Sequence, residues 1–490
     1  MLGRLFRNSS NYAIGSLLVT LAGIISFPLF TRTFSVAEYG TLNLISSVLL
    51  LWAGIGKLGI QQSIVRFHAE VSAGNRQITE SEYLSTVLIG MACTGAAATT
   101  ALAIMSALVP ASWWNNDQIA RLMLPLSLLI VVRVIDSGIN NILRAQERSF
   151  FYSVYSVVRK YATLAIILAI MFYFVPRLDG FYLGTFIAEL GAVLFMLIYL
   201  CRKYDMAVNK FSSDTFKRMV AFGMPLIVLE ASAIILNLGD RYVIQVKLGA
   251  EALGQYSAAY NLCEYLQTVL IVSFNQAVAP MYLKIWEAKG EDETRRFMEQ
   301  ALRFYLLVAM AVFAGMVAVG QESLTFLASD KYSKGGVVIP FVVAGFLIDG
   351  LVVILGAGIF IRKQNKLLIP VIIAAAVINV LLNIALLPIF GIVGAGAATL
   401  ICYVLVSGFA WHLGAKRFKV KFPVLDACKF AALATIMYAV VQYIYVEPPI
   451  LDLLAKVLTG TVVYALLVVA FDKQTRDLLL QLKSRRQGLQ

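Results

Sequence analysis

Arg133, Asp136, Asn140 and Arg144 are separated by three, four and four residues, a spacing that stacks them along one stripe of a helix. The surrounding run, Ile119 to Ile142, is otherwise apolar. Glu230, Asn237 and Arg241 form a second stripe. Tyr260, Glu264 and Gln267, with Asn275 two turns further, form a third; Asn43, Ser47, Gly54, Lys57 and Gln61, followed by Arg66, form a fourth. An ionised group at the centre of a bilayer costs about 2.5–3.5 kcal/mol on insertion scales, so such residues face a bundle interior or a wet cavity. Polar stripes on four helices are more than packing needs. They offer anion handling: fixed cations and amide dipoles replace the hydration a phosphate loses on leaving water, and the planar fork of Arg suits bidentate phosphate contacts. Asp136, Glu230 and Glu264 are carboxylates placed to hold a coupling proton or cation. Asp349, in the middle of Val337 to Ile361 with no local basic partner, is a fourth such candidate, with a protonated, hydrogen-bonded acid as the competing reading.

A purely structural reading stands beside each of these. Arg133 and Asp136 at i, i+3 are placed for an ion pair within one helix. Arg159 and Lys160 lie about two turns into their span and can snorkel to the headgroups. Asn379 and Asn383 suit hydrogen bonding between helices. His68, His412 and the scattered cysteines Cys93, Cys201, Cys263, Cys402 and Cys428 offer neither a metal cluster nor a C-x-x-C pair, so no metal or cofactor is expected. No Gly-x-x-x-x-Gly-Lys-Ser/Thr motif is present, and ATP hydrolysis is not expected.

The elements that must position these residues follow from composition. Of 490 residues 60% are hydrophobic and 14% charged, which excludes an ordinary soluble fold, and 34 Gly, 12 Pro and 5 Cys exclude collagen-like and disulfide-stapled classes. Apolar windows of spanning length number about fourteen, which predicts an all-α polytopic membrane protein. They run Tyr12 to Thr31, Thr41 to Ile60, Tyr83 to Val109, Ile119 to Ile142, Phe151 to Val175, Phe181 to Leu200 and Met219 to Leu238. The others are Tyr256 to Val278, Leu302 to Val319, Val337 to Ile361, Leu367 to Pro388, Ile392 to Leu413, Asp426 to Tyr445 and Leu451 to Phe471. The first has no small-residue cleavage site after it and reads as a retained span. About 27 of the 41 Lys and Arg fall at the termini and in even-numbered loops, which places both termini in the cytoplasm. Most of the net charge of +13 therefore encodes topology, and nothing points to a nucleic-acid partner. The tail Lys483-x-Arg485-Arg486 can also touch anionic lipid headgroups. No loop exceeds about 25 residues, so an appended catalytic domain, and with it an enzyme, is not expected.

Self-comparison at an offset of about 214 residues finds an internal duplication. Ser35-Val-Ala-Glu-Tyr-Gly40 matches Gly249-Ala-Glu-Ala-Leu-Gly254, Arg144-Ala-Gln-Glu-Arg148 matches Arg362-Lys-Gln-Asn-Lys366, and Leu178-Asp-Gly180 matches Ile389-Phe-Gly391. The order predicts a six-helix lobe over 1–212, a second over 213–421, two added helices over 422–471 and a basic tail over 472–490. An offset of six spans keeps orientation, so the lobes would be related by an axis along the membrane normal, around a central cavity.

The segment Gly239-Asp-Arg-Tyr-Val-Ile-Gln-Val-Lys-Leu-Gly-Ala-Glu-Ala-Leu-Gly-Gln-Tyr-Ser-Ala-Ala-Tyr260 resembles the signature after helix 7 of polysaccharide flippases, in the multidrug/oligosaccharidyl-lipid/polysaccharide superfamily. Phe27-Pro-Leu-Phe-Thr-Arg32 leading to Glu38-Tyr-Gly40, Leu143-Arg-Ala-Gln-Glu-Arg148, Phe222-Gly-x-Pro225, Ala279-Pro280, and Asn379-x-x-x-Asn383 with Phe390-Gly-Ile-Val-Gly-Ala-Gly396 are similar in the same order. The resemblance implies a bacterial or archaeal cytoplasmic membrane and a cargo of oligosaccharide on polyprenyl diphosphate, turned over for O-antigen, capsule or exopolysaccharide assembly. A polymerase and a chain-length regulator are the partners it would serve. Arg32 sits at the outer end of its span, unlike the basic helix 1 pattern of lipid II flippases, which makes a peptidoglycan precursor the less expected cargo. On this reading Lys57, Arg66 and Arg133 receive the diphosphate from the cytoplasm and Arg32 and Arg241 lie near the outer mouth. Asn43, Tyr260 and Gln267 would meet the sugars. The competing classes are a cation-coupled multidrug exporter of the same superfamily and a membrane polysaccharide polymerase or ligase.

Overall fold

Backbone amides in lipid have no water to bond, so long apolar runs must close their hydrogen bonds along a helix. The computed structural model describes residues 2–73, 78–110, 113–114 and 116–477, with side chains except those of 2–10 and 365, and contains no strand among the described residues. The basic cluster of the tail lies outside the described residues. In chain order the first helices are α1 (Leu2–Thr33), α2 (Val36–Gly56), α3 (Ile60–Ser72), α4 (Glu80–Leu108), α5 (Asp117–Leu126), α6 (Leu128–Ala145), α7 (Ser149–Tyr173), α8 (Arg177–Tyr204) and α9 (Ser213–Leu266). They are followed by α10 (Ser273–Lys289), α11 (Glu291–Ala328), α12 (Ile339–Asp349), α13 (Val352–Leu355), α14 (Ala357–Ile361), α15 (Leu368–Phe390), α16 (Ile392–Ala415), α17 (Val424–Gln442) and α18 (Pro449–Phe471).

Twelve helical stretches are long and apolar enough to span, and α5 with α6, bent by 49°, makes another. One of the twelve, Ser213–Lys289, has 77 residues, about 115 Å if straight against a hydrocarbon core of about 30 Å. Gly249 (φ 85°, ψ 176°) breaks it into two passes. Counted that way the spans number fourteen, as the apolar windows predict. Helix starts are encoded locally. Ser35 accepts from the Glu38 amide at 3.1 Å while Glu38 accepts from the Ser35 amide at 2.9 Å, a reciprocal cap that opens α2, and Thr79 with Glu82 does the same for α4.

The chain packs as two compact units, Met1–Ser257 with Ile372–Gly391, and Ala258–Val371 with Ile392–Gln490. This division runs through α9, whereas the repeat in the sequence divides the chain at residue 212.

In the first unit α7 lies against α1 and α8, and α4 against α6. The Ser35–Gly40 and Gly249–Gly254 segments, matched as repeats in the sequence, meet each other. A Cβ on Gly40 would lie 2.2 Å from the Ala250 carbonyl oxygen, and one on Gly254 would lie 1.9 Å from that of Val36, so each glycine faces the carbonyl four residues before the other. Only glycine permits this approach. At the other end of α2, Gly59 (φ 66°) and Gly223 come equally close.

In the second unit Tyr282, Met298, Leu302, Tyr305, Phe418 and Phe430 form one core. A second joins Ala314 and Val319 of α11 to Leu433, Ala434, Met437, Tyr464 and Val468, which docks the last two helices. At one end of this packing Arg303 contacts Asp426 at 3.1 Å and also bonds Asp472, while Lys429 bonds Asp426 at 2.8 Å and Asp472 at 2.5 Å.

Candidate functional site

Three polar groupings lie inside the spans of the first unit. The first joins α2 and α3 to α9. Lys57, the residue that ends α2, contacts Glu230 at 3.2 Å, and Gln61 donates to the other oxygen of the same carboxylate. Ser63 donates to the Met219 carbonyl at 2.7 Å, and the Arg66 guanidinium lies 4.8 Å from the Phe222 ring centre. Lys57 and Glu230, expected in separate roles as phosphate receiver and coupling carboxylate, thus neutralise each other. A lysine left beside no carboxylate there would be costly, and the stripe spacing alone does not reveal a partner that is 173 residues away.

The second grouping lies where α2 meets the part of α9 beyond it. Arg241 is buried and donates from Nη1 to Ser47 Oγ at 2.9 Å. Its neighbour Asp240, also buried, accepts from the Tyr256 hydroxyl. Asp240 was not among the expected site residues; a carboxylate directly beside an arginine inside an apolar run was the available signal. Asn43 spends its amide on the Tyr39 carbonyl at 2.8 Å, a bond back along its own helix.

The third grouping spans α6, α7 and α8. Arg133 presents Nε and Nη2 to the two oxygens of Glu189, at 2.9 and 3.0 Å. Asp136 receives Arg159 Nη1 at 2.8 Å, the Tyr155 hydroxyl at 2.8 Å and the Asn140 amide at 3.0 Å. The ion pair expected between Arg133 and Asp136 within α6 does not form, because each finds a partner on a neighbouring helix with better geometry. Arg159 does not snorkel: it turns to Asp136. Glu189 was overlooked because it is the lone carboxylate of its span and belongs to no stripe. Arg144, last of the α6 stripe, stacks 4.7 Å from the Tyr152 ring centre and bonds its hydroxyl.

The other expected residues do not join these groupings. Arg32 is exposed at the end of α1. Arg66 is exposed and contacts Glu70, one turn along, at 3.1 Å. Tyr260, Glu264, Gln267 and Asp349 belong to the second unit. Tyr260 is buried edge-on to Phe346, with ring centres 5.3 Å apart, whereas Glu264 one turn on is exposed. Gln267 opens a π-helical segment, Gln267–Val272, whose wider turn rotates the helix, so the α-helical stripe does not continue in register to Asn275. Asp349 ends α12, and no ion pair forms at it among the described residues. Asn383 donates to the Asn379 carbonyl and side-chain oxygens at 2.8 and 3.1 Å, so the expected bond between helices runs instead along α15.

Fold and site together define a polytopic helical membrane protein whose intramembrane charges are held between helices. Residues 5–286, more than half of the chain, match the family described as polysaccharide biosynthesis protein, and the chain belongs to that family. Among curated relatives it is 22% identical over 258 residues to the probable flippase AglR of Haloferax volcanii, covering 51% of this chain and 53% of that one. It is also 22% identical over 187 residues to a probable low-salt glycan biosynthesis flippase of the same organism, covering 37% and 39%. The matched region thus spans about half or less of those relatives. A structure of the lipid II flippase MurJ in an inward closed conformation matches with TM-score 0.75 at 16% identity, over 96% of this chain and 99% of that one. An inward-facing multidrug resistance transporter of the MATE family matches with TM-score 0.63 at 16% identity, over 82% and 94%. At that identity the likeness is one of fold.

Proposed function

We propose that this protein moves oligosaccharide linked to polyprenyl diphosphate from the inner to the outer leaflet of a bacterial or archaeal cytoplasmic membrane, by alternating access of two six-helix lobes, with both termini in the cytoplasm. The observation that carries the reading is membership in a polysaccharide biosynthesis family together with cations held inside spans: Lys57, Arg133 and Arg241. A bare diphosphate entering hydrocarbon would cost on the order of tens of kcal/mol in the Born limit, and fixed cations lower that cost. An inside-negative potential adds about 2.3 kcal/mol per charge per 100 mV in the outward direction.

The seam between α2–α3 and α9 gives the movement a starting point. A diphosphate arriving from the cytoplasm competes with Glu230 for Lys57 and loosens the inner end, while the close contact at Gly40 and Gly254 keeps the outer end shut. Arg66 lies on the entry side, Arg241 and Arg32 serve the exit, and Asn43, Tyr260 and Gln267 meet sugar hydroxyls. Asp136 and Glu230 are held in ion pairs, which leaves Glu264 and Asp349 as the carboxylates to test for proton or cation coupling. A multidrug exporter would keep its carboxylates for a cationic drug; here Glu189, Asp136 and Glu230 are each engaged by Arg or Lys. The product would pass to a polymerase and chain-length regulator.

In cells, Arg133→Ala or Arg241→Ala should abolish surface polysaccharide and leave lipid-linked repeat units in the inner leaflet. Normal polysaccharide with both variants present at wild-type abundance would sink the substrate path.

A further inference from the structure

The grouping on α6, α7 and α8 is not electrically complete. Arg133 is matched by Glu189 and Arg159 by Asp136. Lys160, the next residue on α7, lies within electrostatic reach of Arg159, Glu189 and Arg133, and no ion pair forms at it among the described residues. Three cations stand against two carboxylates, leaving one positive charge. It lies deep in its span: α7 begins at Ser149, so Lys160 is about 16 Å along a helix of about 37 Å. Its side chain is exposed, as a ligand would require, and Arg159 Nε has no hydrogen-bond partner although it is buried. An unmatched intramembrane cation is costly, and a bound anion relieves that cost.

We propose that Arg159 and Lys160 form a phosphate-binding station midway through the membrane. Resting on the flippase reading above, its ligand is the diphosphate ester of the lipid-linked cargo. Asp136 braces Arg159 by one oxygen and leaves the rest of the guanidinium open. Arg133, whose Nε and Nη2 are taken up by Glu189, is a positioning residue that keeps α6 against α8 and adds its field from behind. The excess charge is what distinguishes the station from a structural ion-pair network, since such a network needs no surplus.

The test uses the full chain in nanodiscs of phosphatidylcholine, with fluorescent polyprenyl diphosphate and the matching polyprenol as probes. Wild type should bind the diphosphate at least about tenfold more tightly than the polyprenol. Lys160→Gln should lose about tenfold of diphosphate affinity and none for the polyprenol, and Lys160→Arg should stay within about threefold of wild type. Glu189→Gln raises the surplus charge and frees Arg133, so it should strengthen diphosphate binding several-fold; a structural role alone would weaken it. This variant keeps the proposal testable if Lys160→Gln does not fold. If wild type prefers the diphosphate but Lys160→Gln binds it unchanged, or if Glu189→Gln weakens binding, the station is wrong and the flippase reading stands. If wild type shows no preference for the diphosphate, the flippase reading itself falls. If adding phosphatidylglycerol to the nanodisc removes the difference between wild type and Lys160→Gln, the occupant is a phospholipid headgroup and the assignment to cargo is overturned.

Discussion

Two charge networks, one in each packed unit, are built from the same parts and end differently. In the second unit Arg303 and Lys429 face Asp426 and Asp472, two cations to two carboxylates, with every carboxylate oxygen bonded and the Thr475 amide and hydroxyl adding to Asp472. The Asp472 side chain is only 2% exposed. In the first unit Arg133, Arg159 and Lys160 face Glu189 and Asp136, the cationic side chains remain partly open, and one charge is left over. The balanced network sits where α17 and α18 must be pinned to α11, at the end of the apolar packing. The unbalanced one sits along the middle of α6 and α7. Balance and burial mark a fastening, whereas surplus charge and access mark a place where something else binds.

The largest effect should come from breaking the balanced network. Arg303→Ala leaves Asp426 and Asp472 with Lys429 alone, and removing one partner of a buried set costs about 3–5 kcal/mol. Unfolding in detergent should show that loss, and polysaccharide export should fall only in proportion to the protein remaining. If export per molecule collapses while stability is kept, the two networks do not divide into fastening and binding. A smaller effect is expected at the Lys57–Glu230 pair, whose side chains are 19% and 27% exposed. Lys57→Ala should cost about 1–2 kcal/mol after allowing for solvent screening, and the exchange Lys57→Glu with Glu230→Lys should recover most of the stability. Transport by the exchanged pair should stay low, because a carboxylate then stands where the diphosphate first meets α2. Recovery of transport would assign the pair to fastening instead.

The spans were legible because a hydrocarbon core imposes one length and one polarity on every helix that crosses it. Fourteen apolar windows became fourteen passes even where the backbone runs on through α9. Stripe spacing found Arg133, Asp136, Lys57, Glu230 and Arg241. It could not show who pairs with whom, because helical periodicity reports which residues share a face and not which face lies opposite. Arg133 and Asp136 looked like partners at three residues apart, yet their partners are 56 and 23 residues away, on α8 and α7. Glu189 and Asp240 escaped notice for the complementary reason, since a single carboxylate in a span has no spacing to read. The repeat match did carry long-range information. Two short segments of the same pattern, Ser35–Gly40 and Gly249–Gly254, proved to be each other's contact.

Acid offers a finer way to separate the two networks. Burial pushes the Asp472 carboxyl up, but hydrogen bonds from Lys429, Thr475 and Arg303 outweigh it and hold the group well below the usual carboxylate range. A carboxylate depressed in the folded state contributes stability that is fully present above its unfolded value, about 3.9, and is lost as pH falls toward the folded one. The unfolding midpoint should therefore be flat from about pH 8 to 5 as far as this network is concerned, then decline below about pH 4. Asp472→Asn should lower the midpoint throughout and flatten that acid decline. A decline as steep in Asp472→Asn as in wild type would show that other carboxylates govern acid stability. The smallest effect serves as the reference for both networks. Arg296 and Glu293 form an exposed pair one turn apart at 2.9 Å, and Arg296→Ala should change stability by no more than about 0.5 kcal/mol. A cost there approaching that of Arg303→Ala would mean that pairing alone, and not burial with balance, sets the strength of these contacts.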